Sequence, residues 1–582
     1  MTTEITNSLR IALAQLNPVV GDIAGNVEKA RRAHADAKAL GADIVALPEL
    51  FIAGYPPEDL VRKPAFAQAV LAATEALARN ITDGPGMLVG TLWPDGDKLY
   101  NAAVLIDRGR IEAVRTKVDL PNYGVFDEKR VFDVGALPSP INFRGVRIGA
   151  PVCEDIWKDE VIECLAECGA ELLLVINGSP FDITKPDVRM NIAVARVTES
   201  GLPLAYVNQV GGQDELVFDG ASFVLNADCS LAVQMPAWCE KITVTEWTRG
   251  PEGWTCTPGE KAVLEEDDAA AYQACMLGTR DYVDKNGFPG VVLGLSGGID
   301  SALVAALAVD ALGPRRVHCV MLPYRYTSSD SLDDAAQCAK ALGCRYDTVP
   351  IAGPVEGFMD ALQPMFAGTN PDTTEENLQS RSRGTMLMAV SNKFGSMVLT
   401  TGNKSEMSVG YATLYGDMNG GFNPIKDLYK MRVYALARWR NANIPAGAKG
   451  PGGIVIPERI ITKAPSAELK ENQTDQDSLP PYPVLDDILA CLVEQELPVT
   501  SIIERGHPEE TVRRVERMLY IAEYKRRQAA PGVKITSRNF GRDRRYPITN
   551  RFRESSAVQP STATAGTGTR LVAPRVDGGE VS

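Results

Sequence analysis

The sequence has little histidine and no CxxC motif. Its 582 residues include only 3 histidines, and none of the 11 cysteines forms a CxxC pair with another. Structural zinc sites usually combine such pairs with histidine, and disulfide-stabilised folds are typically short and rich in paired cysteines. The composition therefore predicts neither a structural zinc site nor a disulfide framework.

The sequence also lacks a long apolar run and an excess of positive charge. Lys and Arg number 60 against 74 Asp and Glu, which gives a net charge of −14. This charge would repel a polyanion, and no stretch has enough uninterrupted apolar residues to span a bilayer. The first twenty residues do not show the basic start and apolar core of a secretory signal. We expect no nucleic-acid partner, no membrane partner and a cytoplasmic location.

The length and the hydrophobic content of 45% predict more than one domain. Apolar strands alternate with amphipathic helices up to about residue 242, the pattern lapses into Gly, Pro and charged residues, and strand–helix alternation then resumes. The second alternation is typical of a doubly wound parallel sheet. The predicted organisation is a domain at 1–245, a linker at 246–266, a domain at 267–555 and a disordered tail at 556–582.

The stretch "LGLSGGIDSALVAAL" predicts a buried strand, a glycine-rich turn and an apolar helix. Such a turn exposes backbone N–H groups at the positive end of a helix, which suits phosphate. The stretch matches neither the Walker A nor the GxGxxG pattern. Ser296 and Ser301 can donate hydrogen bonds to phosphate oxygens, and Asp300 offers an oxygen ligand for Mg²⁺. Two adjacent glycines are by themselves more often simple turn chemistry.

The segment "SGGIDS" resembles the pyrophosphate-binding loop of the N-type ATP pyrophosphatases, which include NAD, GMP, asparagine and argininosuccinate synthetases and tRNA-thiolating enzymes. Downstream, "LTTGNKSEMSVGYATLYGDMNGGFNPIKDLYK" and "KAPSAELKENQTDQDSLPPY" are similar to the glutamine-dependent NAD synthetases. This resemblance implies ATP and deamido-NAD⁺ as substrates, with Mg²⁺ as cofactor. It implies ATP contacts at Gly294, Leu295, Ser296, Gly297, Gly298, Ile299, Asp300, Ser301, Thr401, Lys426 and Ser466, deamido-NAD⁺ contacts at Asn377, Arg381, Glu406 and Lys525, and metal ligands at Asp300 and Glu406.

Three reactive residues of the N-terminal half follow apolar runs. Cys153 stands in "RIGAPVCEDIW", Glu49 in "ADIVALPEL" and Lys117 in "AVRTKVDL". A cysteine nucleophile needs a base and a charge that stabilises the thiolate, and the shortage of histidine leaves a carboxylate and a lysine to supply them. Taken singly, Glu49 and Lys117 are more often ordinary solvated charges, and Cys153 a buried hydrophobe.

Together these residues resemble the Glu-Lys-Cys triad of the nitrilase-like amidases, whose fold is an αββα sandwich. The resemblance implies that Glu49 transfers protons, that Cys153 forms a glutamyl thioester, and that Lys117 stabilises the thiolate and the oxyanion. It also places Glu128 beside the lysine. Glutamine contacts are implied at Tyr123, Ser179 and Lys185.

Both resemblances imply one enzyme. The expected fold is α/β, with an N-terminal nitrilase-like αββα sandwich and a C-terminal doubly wound parallel sheet of the adenine nucleotide alpha hydrolase-like, Rossmann-like type. The implied reaction is ATP- and glutamine-dependent amidation of deamido-NAD⁺ to NAD⁺, the last step of NAD biosynthesis, in an even-numbered homo-oligomer. Two alternatives are another amidotransferase, such as a GMP synthetase, and a nucleotide-sensing scaffold without activity.

Overall fold

The computed structural model describes residues 7–554. The tail expected at 556–582 lies outside the described residues. No helix within the described range is long and apolar enough to cross a membrane. The strands and helices fall into an N-terminal half and a C-terminal half.

The N-terminal half contains two large sheets and a separate hairpin. Its strands are β1 (Ser8–Gln15), β2 (Ile44–Ala46), β3 (Gly86–Asp95), β4 (Lys98–Asp107), β5 (Arg110–Thr116), β6 (Ile141–Phe143), β7 (Val146–Gly149), β8 (Leu172–Asn177), β9 (Leu204–Asn208), β10 (Val210–Gln213), β11 (Leu216–Asp219), β12 (Phe223–Leu225), β13 (Leu231–Gln234), β14 (Lys241–Gly250) and β15 (Gly253–Cys256). Its helices are α1 (Ile23–Ala39), α2 (Pro64–Asn80), α3 (Glu160–Glu167) and α4 (Lys185–Ser200).

The first sheet has the strand order β15-β14-β1-β2-β3-β4-β5, and the second has the order β13-β12-β9-β8-β7-β6. Both are mixed, because β1-β2-β3 and β7-β8-β9 run parallel while the outer strands pair antiparallel. Central strands are mostly apolar, since both faces are covered: every residue of β8 is buried.

Three apolar layers define the sandwich. One lies between the sheets, a second under α1 and α2, and a third under α3 and α4. Local sequence supports these helices: Asp22 accepts a hydrogen bond from the Gly25 N–H at the start of α1, and the small residues of that helix face the sheet. The predicted αββα sandwich is confirmed.

Part of the expected linker belongs to a sheet. Residues 246–256 contain the end of β14 and all of β15, and β1 pairs with β14 from Ser8 to Gln15, its full length. Trp247 and Trp254 are buried among the apolar residues between the two sheets. The turn between these two strands contains Gly and Pro, which is typical of a linker, and the sequence pattern therefore did not reveal this edge of the sheet.

The C-terminal half contains one parallel sheet of four strands, β16 (Val291–Gly294), β17 (Val317–Met321), β18 (Arg345–Thr348) and β19 (Met397–Val398), in the order β18-β17-β16-β19. Its helices are α5 (Asp267–Lys285), α6 (Ile299–Leu312), α7 (Ser329–Leu342), α8 (Ala352–Phe366), α9 (Thr373–Phe394), α10 (Lys404–Val409), α11 (Lys430–Ala442), α12 (Glu458–Thr462), α13 (Tyr482–Val493), α14 (Val499–Glu504), α15 (Glu509–Ile521) and α16 (Glu523–Arg526).

Helices cover both faces of this sheet. A large apolar core joins it to α5, α6, α7 and α11, and a smaller one joins it to α8 and α9. The strand order reverses between β16 and β19, and ligands of open α/β sheets bind at such a reversal. The expected doubly wound parallel sheet is confirmed.

Helix α5 packs directly against the hairpin β10–β11 and joins the two halves. The Asp281 carboxylate accepts hydrogen bonds from the Gly212 N–H and the Asn17 side-chain amide, both at 2.7 Å. The Lys285 ammonium donates to the carbonyls of Gly212 and Pro18 at 2.8 and 3.0 Å. A methyl group on Gly212 would lie only 3.0 Å from the Cα of Gly278, so the two backbones are in close contact.

A buried ion pair stabilises the core of the C-terminal half. The Arg440 guanidinium contacts both oxygens of Asp310, at 2.5 and 3.0 Å, and the Tyr272 hydroxyl donates to the same carboxylate at 2.6 Å. Asp310 and Arg440 are fully buried. The three side chains tie α5, α6 and α11 together.

We expect Asp310→Ala to lower the free energy of unfolding by about 3–5 kcal/mol, because it leaves the Arg440 charge buried without a counter-charge. Urea unfolding followed by fluorescence measures the change. Glu509→Ala is the control: it breaks an exposed pair with Arg513 and should cost under about 0.5 kcal/mol. Equal losses in the two variants would contradict the structural role of Asp310.

Candidate functional site

Strands of the N-terminal sandwich bring reactive side chains together at their carboxyl ends. Glu49 follows β2, Lys117 follows β5, Cys153 follows β7 and Ser179 follows β8. All four are buried, and Glu49 and Lys117 have no exposed surface at all. The site therefore holds charged groups shielded from water.

The Lys117 ammonium lies between two carboxylates. Its Nζ is 2.7 Å from Oε1 of Glu49 and 2.9 Å from Oε2 of Glu128. Glu49 is further fixed by the Asn101 amide at 2.7 Å and by the Gly178 N–H at 2.8 Å, and the Tyr55 hydroxyl donates to Glu128 at 2.9 Å. The structure brings together the predicted Glu49, Lys117 and Glu128. Sequence reasoning missed Asn101 and Tyr55, whose strand and loop positions carry no local motif.

The backbone at Cys153 has a left-handed conformation, with a φ of 47°. Such a φ is uncommon for a residue with a side chain, and strained residues of this kind concentrate at functional sites. The Asp155 carboxylate holds the turn: it accepts the N–H groups of Val152, Val118 and Asp119 at 2.8–2.9 Å. This contact fastens the cysteine turn to the segment that follows Lys117.

Burial and the charges of the site set its protonation. Burial raises the pKa of the Cys153 thiol well above its ordinary value, Glu49 adds to the rise, and Lys117 opposes it. Burial alone would lower the pKa of Lys117, but Glu128 and Glu49 raise it well above the usual value. Burial raises the pKa of Glu128 to about 7 against the opposing charge of Lys117. At rest the site therefore holds a neutral thiol beside a charged lysine.

The predicted glutamine contacts surround this centre. The Tyr123 hydroxyl donates to Glu154 at 2.8 Å, and Lys185 places its ammonium 4.0 Å from the centre of the Trp157 ring. The buried Ser179 hydroxyl accepts a hydrogen bond from Arg189 at 3.1 Å. Sequence reasoning missed Arg189. It stands four residues after Lys185 on the same face of α4, and this spacing is the signal that could have revealed it.

The predicted phosphate loop lies at the carboxyl end of β16 and opens into a cavity of about 290 Å³. The Ser301 hydroxyl accepts the Ser296 N–H at 3.2 Å, so the loop is closed on itself. Gly297 has a φ of 82°, and a Cβ there would lie 2.4 Å from the Ser331 carbonyl. All eight loop residues from Gly294 to Ser301 line the cavity, as do Thr401, Glu406 and Ser466.

Lys430 and Lys463 line this cavity, whereas the expected Lys426 does not. Lys430 contacts Asp300 at 2.5 Å and Glu406 at 3.0 Å. Lys426 is buried elsewhere, 3.8 Å from Glu215 of the hairpin β10–β11. The two lysines lie four residues apart in "IKDLYK", and the turn before α11 decides which one faces the loop.

Asp300 and Glu406 fit a hard divalent cation. Both carboxylates lie beside the glycine-rich loop and contact the same atom, the Nζ of Lys430. Both are largely buried. Within residues 7–554 no group of three or more His, Cys, Asp or Glu side chains could hold a metal. Two carboxylates suit Mg²⁺, which is usually bound by one or two carboxylates together with water and substrate phosphates.

The other predicted nucleotide contacts gather around one loop next to the cavity. Lys525 donates to the carbonyls of Gly410 and Ala412 at 2.7 and 2.6 Å, and Arg381 donates to the Leu414 carbonyl at 3.2 Å. The Asn377 side chain accepts a hydrogen bond from the Thr413 hydroxyl at 3.0 Å. These three residues border the loop 410–415, whereas Glu406 lies in the cavity itself.

Comparison with known proteins finds a matching family for each half of the chain. The family described as carbon-nitrogen hydrolase matches residues 10–250, and the family described as NAD synthase matches residues 271–529. A glutamine-dependent NAD(+) synthetase of Rhodobacter capsulatus is 54% identical over 552 residues, 95% of this chain and 100% of that protein. One from Xanthomonas campestris is 48% identical and covers 94% of this chain and 98% of its own.

A solved structure agrees over the same span. The glutamine-dependent NAD+ synthetase of Acinetobacter baumannii, in complex with adenosine diphosphate, is 44% identical. The match has a TM-score of 0.75 and covers 93% of this chain and 99% of that one. Both halves and their order in the chain are thus shared with these proteins.

The charges around Cys153 predict opposite effects of two substitutions on its alkylation. Lys117→Met should raise the pKa of the thiol and slow carboxamidomethylation at pH 8 at least about tenfold, since the thiolate is the reacting species. Glu154→Gln removes a negative charge that raises this pKa and should accelerate the reaction. The modified tryptic peptide 148–158 is quantified by mass spectrometry, with thermal melting as a check on folding. Changes of the same sign in two folded variants would refute this electrostatic account.

Proposed function

This chain belongs to the family of glutamine-dependent NAD(+) synthetases, and we propose that it amidates deamido-NAD⁺ to NAD⁺ with nitrogen from glutamine and energy from ATP. The products are AMP, pyrophosphate and glutamate. The observation that carries the proposal is the presence of two separate reaction centres in one chain, a buried Cys-Glu-Lys site and a glycine-rich loop beside paired carboxylates.

Glutamine is hydrolysed at the first centre. Glu49 takes the Cys153 proton as the sulfur attacks the side-chain amide carbon of glutamine. Lys117 stabilises the oxyanion that forms, because a fixed cation in a water-poor site is most effective where charge develops. Glu49 then returns the proton to the leaving nitrogen, ammonia departs and a glutamyl thioester remains. Attack by water, with Glu49 as base, releases glutamate.

Two carboxylates around Lys117 keep it charged throughout this cycle. A neutral lysine would lose its hold on the oxyanion and would compete with Glu49 for the thiol proton. Glu128 therefore supports the lysine, and Asn101 and Tyr55 hold the two carboxylates in place. The glutamine itself is placed by Tyr123, Ser179 and Lys185, with Arg189 positioning Ser179.

ATP binds at the second centre. The backbone N–H groups of the loop 294–301 bind the β and γ phosphates at the start of α6, where the helix dipole favours negative charge. Ser296, Ser301, Thr401 and Ser466 add hydroxyl groups, and we assign Lys430 the phosphate contact first expected of Lys426. The ADP bound to the Acinetobacter baumannii protein supports an adenine nucleotide here.

Mg²⁺ would be held by Asp300 and Glu406, where it would neutralise charge on the ATP phosphates. Asn403 donates to Asp300 at 2.8 Å and so orients that carboxylate. Lys430, which contacts both acids, would then turn to the phosphates.

Deamido-NAD⁺ binds next to the cavity, with contacts from Asn377, Arg381, Glu406 and Lys525. Its nicotinate carboxylate attacks the α-phosphorus of ATP, and pyrophosphate leaves. Ammonia from the first centre passes inside the protein, attacks the activated carbonyl and displaces AMP. Because ammonia is mostly protonated in neutral water, internal transfer preserves its nucleophilic form.

The proposal includes a cytoplasmic location and an even-numbered homo-oligomer. The first is supported by the use of ATP, a substrate held inside cells. The second rests on the family resemblance, and sedimentation of the purified protein measures it. We place the boundary between the two halves after β15, between Cys256 and the start of α5 at Asp267, instead of at residue 245.

Substitution of Cys153 tests the activities of the two centres independently. In Cys153→Ala, we expect glutamine-driven NAD⁺ formation to fall at least about a thousandfold, because the nucleophile is gone. Ammonium-driven formation should stay within about twofold, since distant sites act independently. Both rates are measured with deamido-NAD⁺, ATP and Mg²⁺, and Cys164→Ala serves as the control cysteine. Loss of both rates in a folded Cys153→Ala protein, or of neither, would disprove the assignment.

The two lysines of "IKDLYK" provide a matched test of the ATP site. Lys430→Met should reduce synthesis with either nitrogen donor by at least about a hundredfold, the usual scale for losing a cation from a phosphate-transfer site. Lys426→Met should stay within about threefold when ammonium is the donor, because its ammonium lies outside the cavity. A larger loss in Lys426→Met would restore the original assignment.

A further inference from the structure

Three of the free cysteines lie at one edge of the C-terminal sheet, away from the Cys153 site. Cys319 is in β17, Cys338 is in α7, and Cys344 lies between α7 and β18. The Sγ atoms of Cys319 and Cys344 are only 3.6 Å apart. The proposed reaction uses neither thiol.

The two sulfur atoms are near enough for a disulfide to form after a small movement. A disulfide bond is about 2.0 Å long, so the two sulfurs need to approach by about 1.5 Å. Cys319 is anchored inside the parallel ladder, where His318 pairs with Arg345 and Cys319 with Tyr346. Cys344 precedes that ladder and follows Gly343, whose left-handed backbone ends α7. The turn at Gly343 and Cys344 can therefore supply the movement without breaking the sheet.

The two thiols differ in access. Cys319 and Cys338 are fully buried, whereas Cys344 is partly exposed. The hydrogen bond with Cys319 lowers the pKa of Cys344, which raises the thiolate fraction of the accessible member. Cysteine oxidation follows thiolate character and exposure, so Cys344 is the thiol that an oxidant reaches first.

We propose that Cys319 and Cys344 form a redox-sensitive modification site, which a hydroperoxide converts into an intramolecular disulfide. The Cys344 thiolate attacks one peroxide oxygen, the O–O bond breaks, and Cys344 becomes a sulfenic acid as an alcohol or water leaves. The Cys319 sulfur then attacks the Cys344 sulfur, the S–O bond breaks, and water carries away the Cys319 proton. Two thiols are oxidised by two electrons, and one hydroperoxide is reduced.

The disulfide would act on the nucleotide cavity. The cavity is lined by Val320 and Met321 at the end of β17 and by Leu322, which follows them. Ser331, near the start of α7, lines it as well. A bond between β17 and the end of α7 would fix two walls of the cavity relative to each other. This consequence rests on the proposed function, whereas formation of the disulfide does not.

Tryptic mapping tests the site directly. The full-length protein is treated with hydrogen peroxide, quenched with iodoacetamide and digested without reduction. Cys319, Cys338 and Cys344 fall in separate peptides, 317–325, 326–340 and 341–345. We expect 317–325 linked to 341–345, lighter by two hydrogen atoms than the free peptides together and separated again by dithiothreitol. Peptides that stay fully alkylated, or a link to 326–340 instead, would overturn the proposal.

Two substitutions sharpen the result. Cys344→Ser should abolish the link, and Cys338→Ser, a change at a neighbouring buried thiol, should preserve it. In ammonium-driven NAD⁺ formation, we expect oxidation to raise the KM for ATP about threefold or more in the native and Cys338→Ser proteins but not in Cys344→Ser. An unchanged KM in fully linked protein would disprove the effect on the cavity. Absence of NAD⁺ formation from the reduced native protein would count against the proposed function, while the peptide map still decides the disulfide.

Discussion

The contact of the Asp281 carboxylate with the Gly212 N–H and the Asn17 amide fixes how the two halves of the molecule meet. It requires α5 to lie against the hairpin β10–β11 at backbone distance, which Gly212 and Gly278 permit because neither carries a side chain. Apolar residues of the hairpin then join the core of the C-terminal half. The contact therefore determines how the N-terminal centre is placed relative to the C-terminal one.

The two centres use one electrostatic arrangement for different chemistry. In each, a buried lysine lies between two carboxylates: Lys117 between Glu49 and Glu128, and Lys430 between Asp300 and Glu406. A lysine between two acids keeps its charge despite burial, and the acids avoid the cost of an unpaired buried charge. In the first centre the lysine stays with its acids, and in the second a metal is expected to replace it.

Strand-end patterns and family motifs predicted both folds, which the structure confirms. They also pointed to Cys153 and the loop 294–301, which the structure places after β7 and β16. Predictions failed where the local sequence does not determine which way a side chain points or whether a segment joins a sheet. Lys426 and Lys430 are equally plausible phosphate ligands in "IKDLYK", and only the path of the chain into α11 separates them. The segment 246–256 reads as a linker because its turn is rich in Gly and Pro, yet its tryptophans complete the core between the sheets. Asn101 and Arg189 act through contacts with Glu49 and Ser179, which lie 52 and 10 residues away in the sequence.

The hairpin β10–β11 has a consequence for how such a protein could be divided. At one end of the hairpin Asp219 accepts a hydrogen bond from Arg189, and at its turn Glu215 lies near Lys426. Val210 and Val217 of the hairpin are buried in the core of the C-terminal half. If a gene break placed the halves on separate polypeptides, each would present a bare apolar surface to water, and solubility would require prompt association. Replacing the N-terminal half by an unrelated ammonia-releasing domain would therefore require a matching apolar surface as well as the right chemistry.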